Sequence, residues 1–143
     1  MRKKLIERNT PPEWNVRVLT EDDFWTYCDA ARIVVREVPL EQPGCRLVCD
    51  GKSHIFIHDR LRGVDRMYTL WHEMAHAWLH APRTQFFLGL NKTLELEANA
   101  VAACAMIPRT MIAHYWPSEI AEEYGYPEWL IKFRETLLKY WQL

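Results

Sequence analysis

The stretch His72-Glu73-Met74-Ala75-His76 sets two imidazoles four residues apart with a carboxylate between them. On a helix, residues i and i+4 lie one above the other on one face, so both rings can reach one ion at about 2.0–2.1 Å. The intervening glutamate points to the adjacent edge of that face. From there it can accept a proton from a water beside the ion and deliver it to a leaving amine. This spacing alone turns up in about 2 of 100 shuffled chains of the same composition, so its surroundings matter. Trp71, Met74, Ala75 and Trp78 flank it with apolar side chains, where two imidazoles and a carboxylate are costly to bury without a task.

A catalytic zinc needs a third protein ligand and an open fourth position. His80 follows His76 by four residues, but eight residues from His72 is about 12 Å of helix axis, too far for one ion to touch all three. A longer pattern with Gly at 79 and His at 82 is excluded by Leu79 and Pro82. A carboxylate from the next helix remains. Glu95 and Glu97 open the segment Thr93–Met106, whose core face runs through Val101, Cys104 and Ala105. Position 97 falls inward on that face, and position 95 is turned about 160° away. A buried acid needs a partner, so Glu97 is the expected third ligand and Glu95 a solvated acid near the helix start.

These residues need elements to hold them. Residues 1–15 read as a polar, proline-containing arm. Thr20 with Asp23 starts a helix whose apolar positions run from Phe24 through Val34 and Val35, ending before Pro39. From Cys45 the period changes: Cys45–Cys49, the turn Asp50-Gly51 and Ser53–His58 form a hairpin. Helical spacing returns over Gly63–His80 and Thr93–Met106, with a loop at 85–91 carrying Phe86 and Phe87. Pro108 opens a short helix to Trp116, Ser118 caps another closed by Gly125, and Pro127 starts the last, through Trp141. The expected class is α+β, mostly helical with one short sheet, in a single domain over 1–143 with a C-terminal helical segment at 117–143.

Composition narrows the function. The 143 residues are 26% charged and 49% hydrophobic with a net charge of -1, which fits one domain and argues against a broad nucleic-acid-gripping face. The longest nearly apolar run, Ala98–Ile107, is too short to cross a bilayer, and no apolar stretch follows the basic start Met1–Lys4, so a cytoplasmic protein is expected. Four scattered cysteines suit reduced thiols. Seven tryptophans are a heavy load; they can build a small core or meet a partner, with Trp129 and Trp141 the freest to do the latter. The tail carries Glu119, Glu122, Glu123, Glu128 and Glu135 against Lys132 and Arg134, which a phosphate backbone would repel.

Arg66–His80, followed by Glu95-Leu-Glu-Ala-Asn and a helix ending in Met106-Ile107-Pro108, resembles the ImmA/IrrE metallopeptidases. The tail Ile120–Arg134 resembles that family's closing helix-turn-helix. The resemblance implies a small zincin-like domain and a zinc endopeptidase that cleaves a helix-turn-helix repressor or an antitoxin-like partner in phage, mobile-element or stress systems. Carried across position by position, it implies ligands at His72, His76 and Glu97 and a base at Glu73. Met106-Ile107-Pro108 in place of Leu-Met-Pro, and Val101 where Phe is common, depart from the family pattern.

The rival reading is a metal-containing regulator that binds a repressor or toxin stoichiometrically without turnover. For stabilising the developing oxyanion, His114, Tyr115 and Tyr124 are the candidates downstream, each more commonly a packing residue. His54 and His58 lie about 13 Å apart on a strand and cannot share an ion. Ser53–His58 is expected as a sheet edge on which substrate lies extended.

Overall fold

The computed structural model describes residues 2–80 and 91–143. Among them are seven α-helices: α1 (Arg2–Asn9), α2 (Glu21–Ala31), α3 (Gly63–Leu79), α4 (Lys92–Met106), α5 (Arg109–His114), α6 (Pro117–Tyr124) and α7 (Glu128–Thr136). A π-helical turn, Leu137–Trp141, extends α7. One three-stranded sheet is formed by β1 (Val34–Val38), β2 (Gly44–Cys49) and β3 (Lys52–His58) in the order β1-β3-β2. The expected α+β, mostly helical class is the one observed. The loop carrying Phe86 and Phe87 lies outside the described residues.

Local chemistry explains most boundaries. Thr20 accepts from the Asp23 backbone while Asp23 accepts from the Thr20 backbone, a capping box that starts α2. The helix ends earlier than its apolar spacing suggests: Arg32 is left-handed at φ 55°, and Ile33 N donates to Cys28 O at 2.8 Å. Val34 and Val35, expected as the end of α2, instead belong to β1, paired parallel with His54 and Ile55. A β-branched run suits a pleated, half-buried surface, and a waiting partner strand outweighs helical periodicity. The hairpin forms as expected, with Asp50 and Gly51 both at positive φ in its two-residue turn.

Two further expectations are corrected. Expected as part of an arm over 1–15, residues 2–15 instead pack against the domain: Ile6 is fully buried, and the buried Trp14 donates its indole N–H to Val101 O at 3.0 Å. Nor is Ser53–His58 a sheet edge. It is the central strand, hydrogen-bonded on both sides, and the edges are β1 and β2.

The sheet's inner face, with Ile55 and Ile57 fully buried, packs on α3. Antiparallel pairing puts Gly44 opposite Ile57 and Arg46 opposite Ile55, so both β2 residues face α3 as well. The most extensive helix contact is α3 on α4. Ala98, Ala100, Ala102, Ala103 and Ala105 are fully buried, and their small side chains allow the close approach that brings polar groups of the two helices together. Behind them, Trp71 is fully buried among Phe24, Tyr27 and Trp78 at centroid distances of 5.7–6.1 Å. Part of the tryptophan load is thus the brace of the metal-motif helix.

Candidate metal centre

Tyr68, His72 and His76 recur every four residues along one face of α3, which is 17 residues long, carries Arg66 near its start and is capped at its C-terminus by His80, four residues further on. Arg66 anchors the helix: its Nε donates to Glu21 Oε1 at 2.8 Å, and its Nη1 bonds Glu37. One guanidinium therefore ties α3 to α2 and β1.

Across from this face, α4 is capped by Asn91, whose Oδ1 accepts from the backbone of Thr93 and Leu94. The carboxylate that meets the histidine pair is Glu95. Its Oε2 is 3.2 Å from His72 Nε2, its Oε1 is 3.0 Å from His76 Nε2, and the two Nε2 atoms are 3.3 Å apart. Together His72, His76 and Glu95 form a group that could hold a metal ion.

Glu97, expected as the third ligand, lies elsewhere. Its Oε2 is 2.9 Å from His80 Nε2 at a buried site. The face argument found the buried acid correctly, since Glu97 is only 5% exposed. The donor set, however, opens at the edge of the helix interface and not in its apolar centre. One signal pointed to Glu95: Asn99, four residues on, is the other polar side chain in an apolar stretch, so the two share one helix face. Asn99 Oδ1 accepts the Tyr68 hydroxyl at 2.9 Å, which continues the row that Glu95 begins.

The donors suit zinc. A tetrahedron with bonds of 2.0–2.1 Å has edges of about 3.3 Å, close to the spacings found among the three donor groups. Glu95 Oε1 is buried with no hydrogen-bond donor despite its closeness to His76, so these atoms face each other as ligands of a shared ion would.

Glu73 lies on the adjacent edge of α3, 2% exposed, with a buried Oε2 that has no hydrogen-bond partner. Burial pushes its carboxyl up to about 7, with Glu95 adding to the rise and His72 and Arg46 opposing it. Burial opposes ionisation of Glu95 too, yet the close approach of His72 and His76 outweighs it and holds that carboxyl well below the usual range. Burial lowers His76; it disfavours the charged form of His72 as well, but there Glu95, Glu73 and Asn99 together outweigh it and the net shift is upward.

His72, Glu73 and Glu95 line a cleft of about 300 Å³ together with Gln42, Pro43, Gly44, Tyr68, Thr69 and Asn99. Gly44, at the start of edge strand β2, has no room for a side chain: a Cβ there would meet Thr69 Cγ2 at 2.8 Å and Glu73 Cγ at 3.2 Å. Trp129 of α7, half exposed, packs edge-on against Tyr68 at 5.2 Å. His114, Tyr115 and Tyr124 line a different groove with Met111 and Ile120. Arg134, counted above among the charges of the tail, is fully buried and bonds Ile107 O, Leu143 O and Asn15 Oδ1.

A helix presenting two histidines and a buried glutamate, a carboxylate from the next helix, and a mixed sheet whose edge closes on that glutamate define a zincin-like metallopeptidase. The family model Peptidase_M78, described as the IrrE N-terminal-like domain, matches residues 28–135. The chain belongs to this ImmA/IrrE family of metallopeptidases, and family membership makes it a metallo-endopeptidase. No curated protein matches it. Among the described residues, no helix is long and apolar enough to cross a membrane.

Proposed function

We propose that the chain is a zinc-dependent endopeptidase in which His72, His76 and Glu95 hold the metal and Glu73 is the general base. The observation that carries this reading is the convergence of His72 Nε2, His76 Nε2 and both Glu95 oxygens beside an unpartnered buried Glu73 oxygen. A bound zinc supplies Lewis acidity toward the peptide carbonyl. Glu73, buried on the adjacent edge of the helix with an unpartnered oxygen, takes a proton from the attacking water and returns it to the leaving amine. Tyr68, Thr69 and Gly44 line the cleft beside Glu73 where that transfer takes place.

The substrate is a protein, and the family resemblance favours a helix-turn-helix repressor or an antitoxin-like protein in a cytoplasmic setting. Free cysteines at 28, 45, 49 and 104 suit that reducing compartment. The near-neutral charge supports action on a DNA-binding protein in preference to DNA itself. The test incubates a genetically adjacent repressor with zinc-loaded wild-type protein and with Glu73→Gln. Fragments with the first and none with the second are expected, with equal zinc content. Relief of repression by both, without cleavage by either, would establish the stoichiometric regulator instead.

A further inference from the structure

His80 cannot share the ion with His72, and Glu97 is not placed to do so, yet the two form a buried chain leading to the site. His76 Nδ1 stands 2.8 Å from His80 Nδ1, and His80 Nε2 stands 2.9 Å from Glu97 Oε2. All three residues are at most 5% exposed. Hydrogen-bond inventory gives this chain one direction. A carboxylate only accepts, so His80 Nε2 carries the hydrogen that faces Glu97. Neutral His80 then presents a bare Nδ1, which must accept from His76 Nδ1–H. The remaining nitrogen of His76, Nε2, is left with its lone pair aimed at His72 Nε2 and Glu95.

We infer that His80 and Glu97 are positioning residues for the metal ligand His76: Glu97 sets the tautomer of His80, and His80 in turn sets the tautomer and ring orientation of His76. This inference rests on the ligand set proposed above. A ligating histidine whose second nitrogen donates to a fixed acceptor is held in the coordinating tautomer and made more basic. Here the fixed acceptor is a second histidine, and the carboxylate stands one residue further out. The arrangement also accounts for a buried acid in an otherwise apolar helix centre, since Glu97 has His80 as its hydrogen-bonded partner.

The test measures zinc affinity by competition with a chromogenic chelator, together with the visible d–d absorption of the cobalt-substituted protein. Wild type is compared with His80→Phe, Glu97→Leu and Glu97→Gln. Phe fills the space of the ring but offers no acceptor to His76, and Leu offers none to His80. Gln keeps an acceptor oxygen without the charge. Zinc affinity is expected to fall roughly 10–100-fold in His80→Phe and Glu97→Leu, with altered cobalt spectra, and to stay near wild type in Glu97→Gln. Folding of each apo protein is followed by circular dichroism; if His80→Phe does not fold, the Leu and Gln pair at 97 decides. Wild-type affinity and spectra in Glu97→Leu would overturn the inference. So would equal weakening in Glu97→Leu and Glu97→Gln, which would assign the effect to charge. Failure of wild-type protein to bind zinc would instead overturn the underlying ligand assignment.

Discussion

Gly44 lies directly against Glu73: a Cβ built on the glycine would stand 3.2 Å from Glu73 Cγ, while the same position meets Thr69 Cγ2 at 2.8 Å. The edge strand of the sheet thus touches the proposed base without an intervening side chain. Gly44→Ala must displace Glu73, Thr69 or the strand itself. Because a shift of the order of 1 Å in a reacting group costs about 100-fold, a loss of at least tenfold in kcat/KM is expected. Zinc content should be retained, because the glycine touches no ligand. Steady-state kinetics on a cleavable repressor, with metal analysis of the same sample, check this.

Glu95 and Glu97 are separated by one residue and are expected to behave differently toward metal. Glu95→Ala removes a donor group and should weaken zinc binding beyond the roughly 10–100-fold cost of losing an outer hydrogen bond. Removing zinc from the wild type should lower its melting temperature. Restoring it to about 100 times the dissociation constant should recover about 2.7 kcal/mol. Calorimetric scans with and without chelator measure both effects. Equal zinc retention in Glu95→Ala and wild type would return the third-ligand role to another residue.

Thiol reactivity follows burial. Burial pushes Cys28 up to about 12, with Asp29 adding to it, and pushes Cys104 up to about 12 as well. At pH 7.5 each is a thiolate less than about one part in ten thousand, and both are shielded. Cys49 is exposed and Cys45 half-buried, with burial raising the latter. Iodoacetamide should therefore label Cys49 first, Cys45 more slowly, and Cys28 and Cys104 only after unfolding. Peptide mass mapping over time reads the order.

The capping box carries a pH dependence. Hydrogen bonding from Arg17 holds the Asp23 carboxyl well below its usual range, against burial and with help from the Thr20 backbone. A depressed carboxylate contributes stability above its unfolded value, near 3.9, and that contribution fades as pH falls toward the folded value. The Arg17 side chain is half exposed, so solvent reduces the worth of the pair. Asp23→Asn should cost about 1 kcal/mol at pH 7, with the gap to wild type closing below about pH 4. Urea denaturation at several pH values measures it.

Arg134 is fully buried and donates to Ile107 O at 2.6 Å, Leu143 O at 3.2 Å and Asn15 Oδ1 at 2.9 Å. Arg134→Met removes the side-chain donor from Ile107 O and Leu143 O, while Asn15 Oδ1 keeps the Arg109 N–H at 2.8 Å. A loss of about 2–4 kcal/mol is expected, seen as a lower melting temperature with the metal site otherwise intact.

Much of this was legible because it is local. The hairpin turn at Asp50-Gly51, the Thr20 cap and the helical phase of His72, Glu73 and His76 all follow from interactions within a few residues. The misreadings share a different cause. Val34 and Val35 carry helical spacing but found a strand partner in His54 and Ile55, which lie 20 residues away. Ser53–His58 alternates like an edge strand, yet β1 closes its free side. Residues 1–15 look polar enough for an arm, while single apolar anchors at Ile6 and Trp14 bind them to the core.

The sequence by itself determined that two imidazoles and a carboxylate project from adjacent edges of one helix, since a 100° step per residue admits no other arrangement. It also showed that one of two neighbouring acids would face inward. Which acid meets the histidines depends on how α4 is rotated and slid against α3, and the close approach of its buried alanines sets that relation. Periodicity describes a helix relative to its own axis and carries no information about the offset between two axes. Only the packed structure could place Glu95 on His72 and His76 and send Glu97 to His80.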